Sequence, residues 1–283
     1  MLPGQPSQTM IRTAIRRAAH QLLDSPRIFE DPLAVGLIPE TSERAILDAS
    51  DDHLSPLPTL FRSMFALRSR FSEDRLAEAA ARGVCQYVIL GAGLDTFPWR
   101  QPDFALRLRI FYVDHPSSLA STISCVRARG LITPPNVSLV AVDFEAGQLA
   151  ERLTESGFVY EAGTFCSLLG VAQYLSREAL EALFAFAASL PAQSEIVFSF
   201  VPPDDELAEN DLTVTAHSGA LAETLGEPWK TRLRPSEAFA ILTYLGFGEV
   251  LHLTPKRAHQ RYFAGRGDAL RASGCEQLMA ATV

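Results

Sequence analysis

The sequence predicts an α/β fold. The expected architecture is a seven-stranded Rossmann-like sheet, mostly parallel, with an antiparallel C-terminal hairpin and a helical N-terminal cap. Three observations predict it. Apolar strand-like runs alternate with helical patterns between residues 87 and 201, which implies right-handed βαβ units and a sheet covered on both faces. The run Tyr87-Val88-Ile89-Leu90 stops at Gly91-Ala92-Gly93 and is followed by Asp95, the way a buried parallel strand delivers the chain to a ligand-binding turn. Beyond residue 236, one helical pattern and two strand candidates follow with a connection too short for a crossover, which suits an antiparallel pair.

The elements follow in order. Ile11, Ala14, Ile15, Ala18, Ala19 and Leu22 recur at helical spacing, with Arg12, Arg16 and Arg17 on other faces. Asp31-Pro32 reads as an N-cap and first-turn proline opening a second helix. After Pro56 and Pro58, a helix is expected from near Leu60 to Ala81, with Ser72 capping its second part and Gly83 ending it. Strands are expected at Tyr87–Leu90, Ile110–Asp114, Val137–Asp143, Thr164–Leu169 and Glu195–Val201. Ser176 caps a helix whose inner face carries Leu180, Leu183, Phe184, Ala187 and Leu190. Ser236 is expected to cap a helix that stops at Gly246, and Glu249–Thr254 and Arg261–Ala264 to form the terminal hairpin. The chain thus divides into a cap or lid (1–82), a core (83–201 and 236–283) and an insertion beside the substrate pocket (202–235).

Composition narrows the function classes. A net charge of −8 and a pI near 5.3 give no basic footprint for nucleic acid. The apolar stretch Leu180 to Leu190 is shorter than the ~20 residues that span a bilayer, and the opening MLPGQPSQTM lacks the regions of a signal peptide. A cytoplasmic protein without a membrane or nucleic-acid partner is expected; its oligomeric state is not legible. Cys85, Cys125, Cys166 and Cys275 are scattered, without metal-ligand spacing, so no metal site is expected.

The glycine turn is half of a dinucleotide fingerprint. The third glycine that pyrophosphate access needs is replaced by Thr96. Asp114 ends the second strand, where an acid accepts hydrogen bonds from both hydroxyls of a ribose. Asp143 ends the third, where a carboxylate takes the adenine amine and Phe144 flanks the ring. Three strand-end features in this order favour a nucleoside ligand, in NAD or in S-adenosylmethionine. Five parallel strands plus a terminal hairpin are the class I methyltransferase arrangement.

The segments TAIRRAAHQLLDSPRIFEDPLA, ALRSRFSEDRL, VILGAGLDTFPWR, FYVDHP, VAVDF, LLGVAQYLSREAL and RYFAGRGDAL together resemble the leucine carboxyl methyltransferase superfamily. The resemblance is to its bacterial branch of S-adenosylmethionine-dependent O-methyltransferases, often linked to polyketide-type secondary metabolites. It implies that Arg68 meets the methionyl carboxylate of the cofactor and that Gly91, Ala92 and Gly93 form the turn beneath its amino-acid part. Asp114, with His115 beside it, would hold the ribose, and Asp143-Phe144 the adenine. Tyr174 would stand near the substrate. Leu169 sits where the phosphatase-methylating branch has a glutamate near the methionyl amine. Glu145 replaces an arginine that holds a peptide C-terminus, and Tyr112 replaces another frequent acid. A glutamate repels a substrate carboxylate, so methylation of peptide C-termini is not expected.

The sulfonium of S-adenosylmethionine arrives activated, so the protein must align an oxygen nucleophile and exclude water. A carboxylate needs no base at neutral pH, whereas a hydroxyl needs one. His115, His20 and Tyr174 are the candidates, each with a plain structural role as its rival reading. The missing obvious base tilts the expectation towards a small-molecule carboxylate or acidic phenol. The basic face of the first helix offers an anionic substrate a partner. The product would be S-adenosylhomocysteine. Two other readings stay open at this point: an NAD-dependent Rossmann oxidoreductase and a catalytically silent cofactor-binding protein.

Overall fold

The computed structural model describes residues 7–38 and 40–283. The first six residues, read above for a leader and as the start of the cap, lie outside the described residues, as does Pro39. Seven strands form one sheet: β1 (Gln86–Leu90), β2 (Arg109–Asp114), β3 (Val137–Ala141), β4 (Thr164–Leu168), β5 (Glu195–Phe200), β6 (Glu249–Leu253) and β7 (Gln277–Thr282). Their order is β3-β2-β1-β4-β5-β7-β6. The first five pair in parallel and β7 runs antiparallel between β5 and β6.

Residue alternation assigns the two faces. Val88, Leu90, Phe111, Val113, Cys166, Leu168, Ile196 and Phe198 build one core layer; Tyr87, Ile89, Ile110, Tyr112, Phe165 and Val197 build the other. Both faces are buried, so these strands read as unbroken apolar runs.

Among the described residues, four helices precede the sheet: α1 (Gln8–Leu23), α2 (Glu40–Asp48), α3 (Ser50–His53) and α4 (Pro56–Ala81). Within and between the strands come α5 (Phe97–Arg100), α6 (Pro116–Ala128), α7 (Leu149–Glu155) and α8 (Arg177–Ala188), which Ser176 caps by accepting from the Ala179 amide. Then follow α9 (Glu209–Thr224), α10 (Pro235–Tyr244) and α11 (Pro255–Ala258).

Several expectations are corrected. Residues 32–37 form turns and no helix, because the Asp31 carboxylate is taken by Arg17 and Thr96 and is not free to cap. α4 runs unbroken through Ser72, which is buried in its interior. β3 ends at Ala141, and Asp143 caps the turn Phe144–Ala146 through a 3.0 Å hydrogen bond from the Glu145 amide. Arg234, not Ser236, is the N-cap of α10. His259–Phe263 is a π-helical turn, with Phe263 buried and Tyr262 donating to Asp74. The seventh strand is instead Gln277–Thr282.

Candidate functional site

The strand order reverses between β1 and β4 as the chain winds first to one side and then to the other, and ligands of open α/β sheets bind at the carboxyl ends of strands at such a point. There the structure has a cavity of about 1080 Å³, ample for a nucleoside and a second small molecule. The ten residues assigned from the sequence to cofactor and substrate line it: Arg68, Gly91, Ala92, Gly93, Asp114, His115, Asp143, Phe144, Leu169 and Tyr174; His20, the remaining candidate base, does not.

The turn after β1 is built from two glycines with φ +70° and +57°. A Cβ on Gly91 would come within 2.4 Å of Val171 Cγ2, and one on Gly93 within 3.1 Å of Met10 Cγ. The Gly93 peptide is pinned at both ends. Its N–H donates to Asp114 Oδ2 at 2.6 Å, and its carbonyl accepts from Tyr112 and Thr122 hydroxyls, each at 2.6 Å. The acid-to-tyrosine change at Tyr112 therefore supplies a donor to the turn. Asp114 Oδ1 accepts from the His115 amide at 2.7 Å. Burial pushes the Asp114 carboxyl up to about 6, against the opposing pull of those two amides. A carboxylate so placed, 8% exposed, is stabilised by any hydroxyl donors a ligand brings.

Arg68 extends from α4 into the cavity, passing where a Gly170 side chain would stand; a Cβ there would lie 2.5 Å from its Nη1. Its partner is Glu276, immediately before β7, at 3.1 Å. Glu276 also accepts from Ser199 Oγ at 2.5 Å, and Ser199 Oγ accepts from the Gly170 amide at 2.7 Å. Glu276 escaped sequence reasoning: it lies 208 residues from Arg68 in a segment with no motif.

Tyr174 ends a short 3-10 turn after β4. Burial raises its phenol, with Thr9 and Trp229 hydrogen bonds working the other way. It is a donor at neutral pH, not a base. His115 Nδ1 faces Ser117 Oγ at 2.8 Å, capping α6. His20 is buried, with Nδ1 2.8 Å from Asp24 and Nε2 accepting from the Ile28 amide. It stands outside the cavity as a core histidine, which is the plain structural role.

α1 roofs the turn. Ser7 Oγ and the Gln8 amide donate to Glu227 at 3.0 Å each, and Thr9 Oγ1 donates to it as well. Further along, Arg17 donates to the Leu94 carbonyl at 3.1 Å and pairs with buried Asp31 at 2.5 Å; Thr96 completes this anchor. Thr96 thus spends its side chain on the helix, in the place where a dinucleotide turn has glycine. Glu145 is bound by Lys230 at 2.7 Å and by Ser176, and the Lys230 hydrogen bond leads in holding its carboxyl down at about 2. That charge is tied to the insertion instead of standing free.

Comparisons with known proteins bear on the fold and the family. The fold matches a methyltransferase structure from Thermobifida fusca, with a TM-score of 0.58 at 17% identity over 99% of this chain and 96% of that one. It also matches a DUF574 family protein from Streptomyces avermitilis, with a TM-score of 0.57 at 15% identity over 94% and 96%. YktD of Bacillus subtilis, named as an S-adenosyl-L-methionine-dependent methyltransferase, is 29% identical over 96% of each chain. No helix among the described residues is long and apolar enough to cross a membrane. The model of the leucine carboxyl methyltransferase family matches residues 10–188, which sets the oxidoreductase reading aside: the chain belongs to that family of S-adenosyl-L-methionine-dependent enzymes.

Proposed function

We propose that the protein is an O-methyltransferase acting on a small-molecule carboxylate or hydroxyl of the secondary-metabolite kind. The observation that carries the reading is the convergence of the ten sequence-selected residues on one cavity, with Asp114 joined to the glycine turn. In this reading the ribose hydroxyls donate to Asp114, Asp143 and Phe144 take the adenine, and Gly91 and Gly93 allow the amino-acid part close to the backbone. The Arg68–Glu276 pair complements a zwitterion: the guanidinium for the α-carboxylate, and Glu276 for the α-ammonium that Leu169 cannot accept.

The bound cofactor supplies an electrophilic methyl. The chain's own part is to hold the acceptor oxygen in line and exclude water, with Tyr174 donating a hydrogen bond to the substrate. In this reading the described residues up to 82 serve as cap, with α1 as lid, and residues 202–235 close the pocket from the other side.

The test is a melting experiment followed by an activity assay. S-adenosylhomocysteine at 100 times its dissociation constant should stabilise the fold by about 2.7 kcal/mol, and NAD should not. S-adenosylhomocysteine should then form when S-adenosylmethionine is supplied with a panel of aromatic and aliphatic acids and phenols. Turnover confined to amine or thiol acceptors refutes O-methylation.

A further inference from the structure

We propose that the substrate is an amphiphilic anion: an apolar body lying along α4, and an anionic group, distinct from the oxygen that takes the methyl, bound by Arg16 and Arg12. This rests on the methyl-transfer reading of the same cavity and adds the chemistry of its far end.

The three arginines of α1 have different fates. Arg17 is paired with buried Asp31. Arg12 and Arg16, one helical turn apart, line the cavity; among the described residues neither forms an ion pair with a carboxylate, although nearby Arg62 is paired with Asp24. Arg16 is half-buried, and its Nη1 lies 2.9 Å from His53 Nδ1. A guanidinium only donates, so His53 accepts there as a neutral ring, leaving its Nε2 as a second donor. Burial, with Arg62 and Arg12, pulls Arg16 below the usual range, and no carboxylate pulls it back. Burying a cation costs free energy that a counter-charge offsets; for Arg16 the cavity is the direction from which it can come, with exposed Arg12 at its rim.

The wall between this end and Arg68 is apolar. Leu57, Phe61, Met64 and Phe65 line the cavity on one side of α4. They are only partly buried and join none of the core clusters. The Phe61 and Phe65 rings stack with centroids 6.0 Å apart and planes at 14°. Leu57 to Arg68 spans about 16 Å of helix at 1.5 Å per residue. A ligand fitting that wall is elongated and apolar, with its charge at the Arg16 end and its acceptor oxygen at the Tyr174 end.

The probe is decanoate, titrated calorimetrically into protein saturated with S-adenosylhomocysteine so that no turnover occurs; decan-1-ol is the uncharged control. Decanoate should bind at least tenfold tighter than decan-1-ol, and only its affinity should fall with added salt. Arg16→Gln should weaken decanoate at least tenfold, and Arg16→Lys should restore most of the loss. S-adenosylhomocysteine affinity should stay unchanged in both variants. Equal binding of acid and alcohol, or an Arg16→Gln protein that binds decanoate like the parent, overturns the proposal. If Arg16→Gln does not fold, the salt dependence in the parent decides. Failure of the parent to bind S-adenosylhomocysteine refutes the cofactor-site reading instead, and failure to bind decanoate with that site filled refutes this one.

Discussion

Cofactor affinity should depend on pH through Asp114. Burial brings its carboxyl up to about 6, against 3.8 as the ordinary value. For a raised acid, the stability contributed by this group is present below pH 3.8 and lost as pH rises through 6. The loss is about 3 kcal/mol, at 1.36 kcal/mol per pH unit. Ribose hydroxyls donate to the ionised form, so binding favours it and recovers part of that cost. At pH 5 only about one molecule in eleven is ionised if the midpoint is 6. S-adenosylhomocysteine should therefore bind about tenfold more weakly at pH 5 than at pH 7.5, a difference of about 1.4 kcal/mol. Calorimetric titration across pH 5 to 8 measures this directly. Asp114→Asn should bind about 1–3 kcal/mol more weakly at pH 7.5 and lose the slope. A flat profile in the parent, or the same slope in Asp114→Asn, refutes the reasoning.

Two further predictions concern the walls of the site. Glu276→Gln removes a charge-assisted hydrogen bond worth about 1.5–3 kcal/mol, so S-adenosylhomocysteine affinity should fall about tenfold or more while 5′-methylthioadenosine, which has no amino-acid part, binds as before; equal losses for both ligands assign Glu276 a purely structural role. Gly91→Ala sets a methyl against Val171 at a backbone φ of +70°, and the left-handed penalty plus overpacking should cost about 2–4 kcal/mol in denaturant unfolding. Adding Val171→Ala should recover the steric part but not the backbone part, and a loss below 0.5 kcal/mol in the single variant would contradict the packing described.

The parallel half of the sheet was legible because strands buried on both faces are continuous apolar runs ending in glycine or an acid, as at Leu90-Gly91 and Val113-Asp114. The last strand was not. QLMAAT has only Thr282 at its end among the β-branched and aromatic residues that mark strands, and becomes one because β5 and β6 flank it. The aromatic pair Tyr262-Phe263 looks more like a strand, yet Tyr262 finds Asp74 and the chain coils. The same limit holds in the site. Asp114 and the glycines declare themselves locally, at the end of a strand. The roles of Glu276, and of Arg16 against Arg17, are set by residues far away in the chain: Arg68 for the first, His53 and Asp31 for the others. Spacing along one helix gives three equivalent arginines; only their neighbours distinguish an anchor from an open cation.

The position of β7 imposes an order on the molecule's birth. β7 follows β6 in the chain yet lies between β5 and β6, and among the described residues β6 has no other strand beside it. As the polypeptide emerges from the ribosome, β2 to β5 can each pair with a strand already made, but β6 must wait. Glu276, which leads into β7, reaches Arg68 only when that last strand slots home. A nascent chain lacking those residues has the glycine turn and Asp114 but not the Arg68–Glu276 pair. If Arg68 and Glu276 hold the cofactor's amino-acid part as proposed, tight capture falls to chains whose sheet is complete, with the ligand as a late clasp.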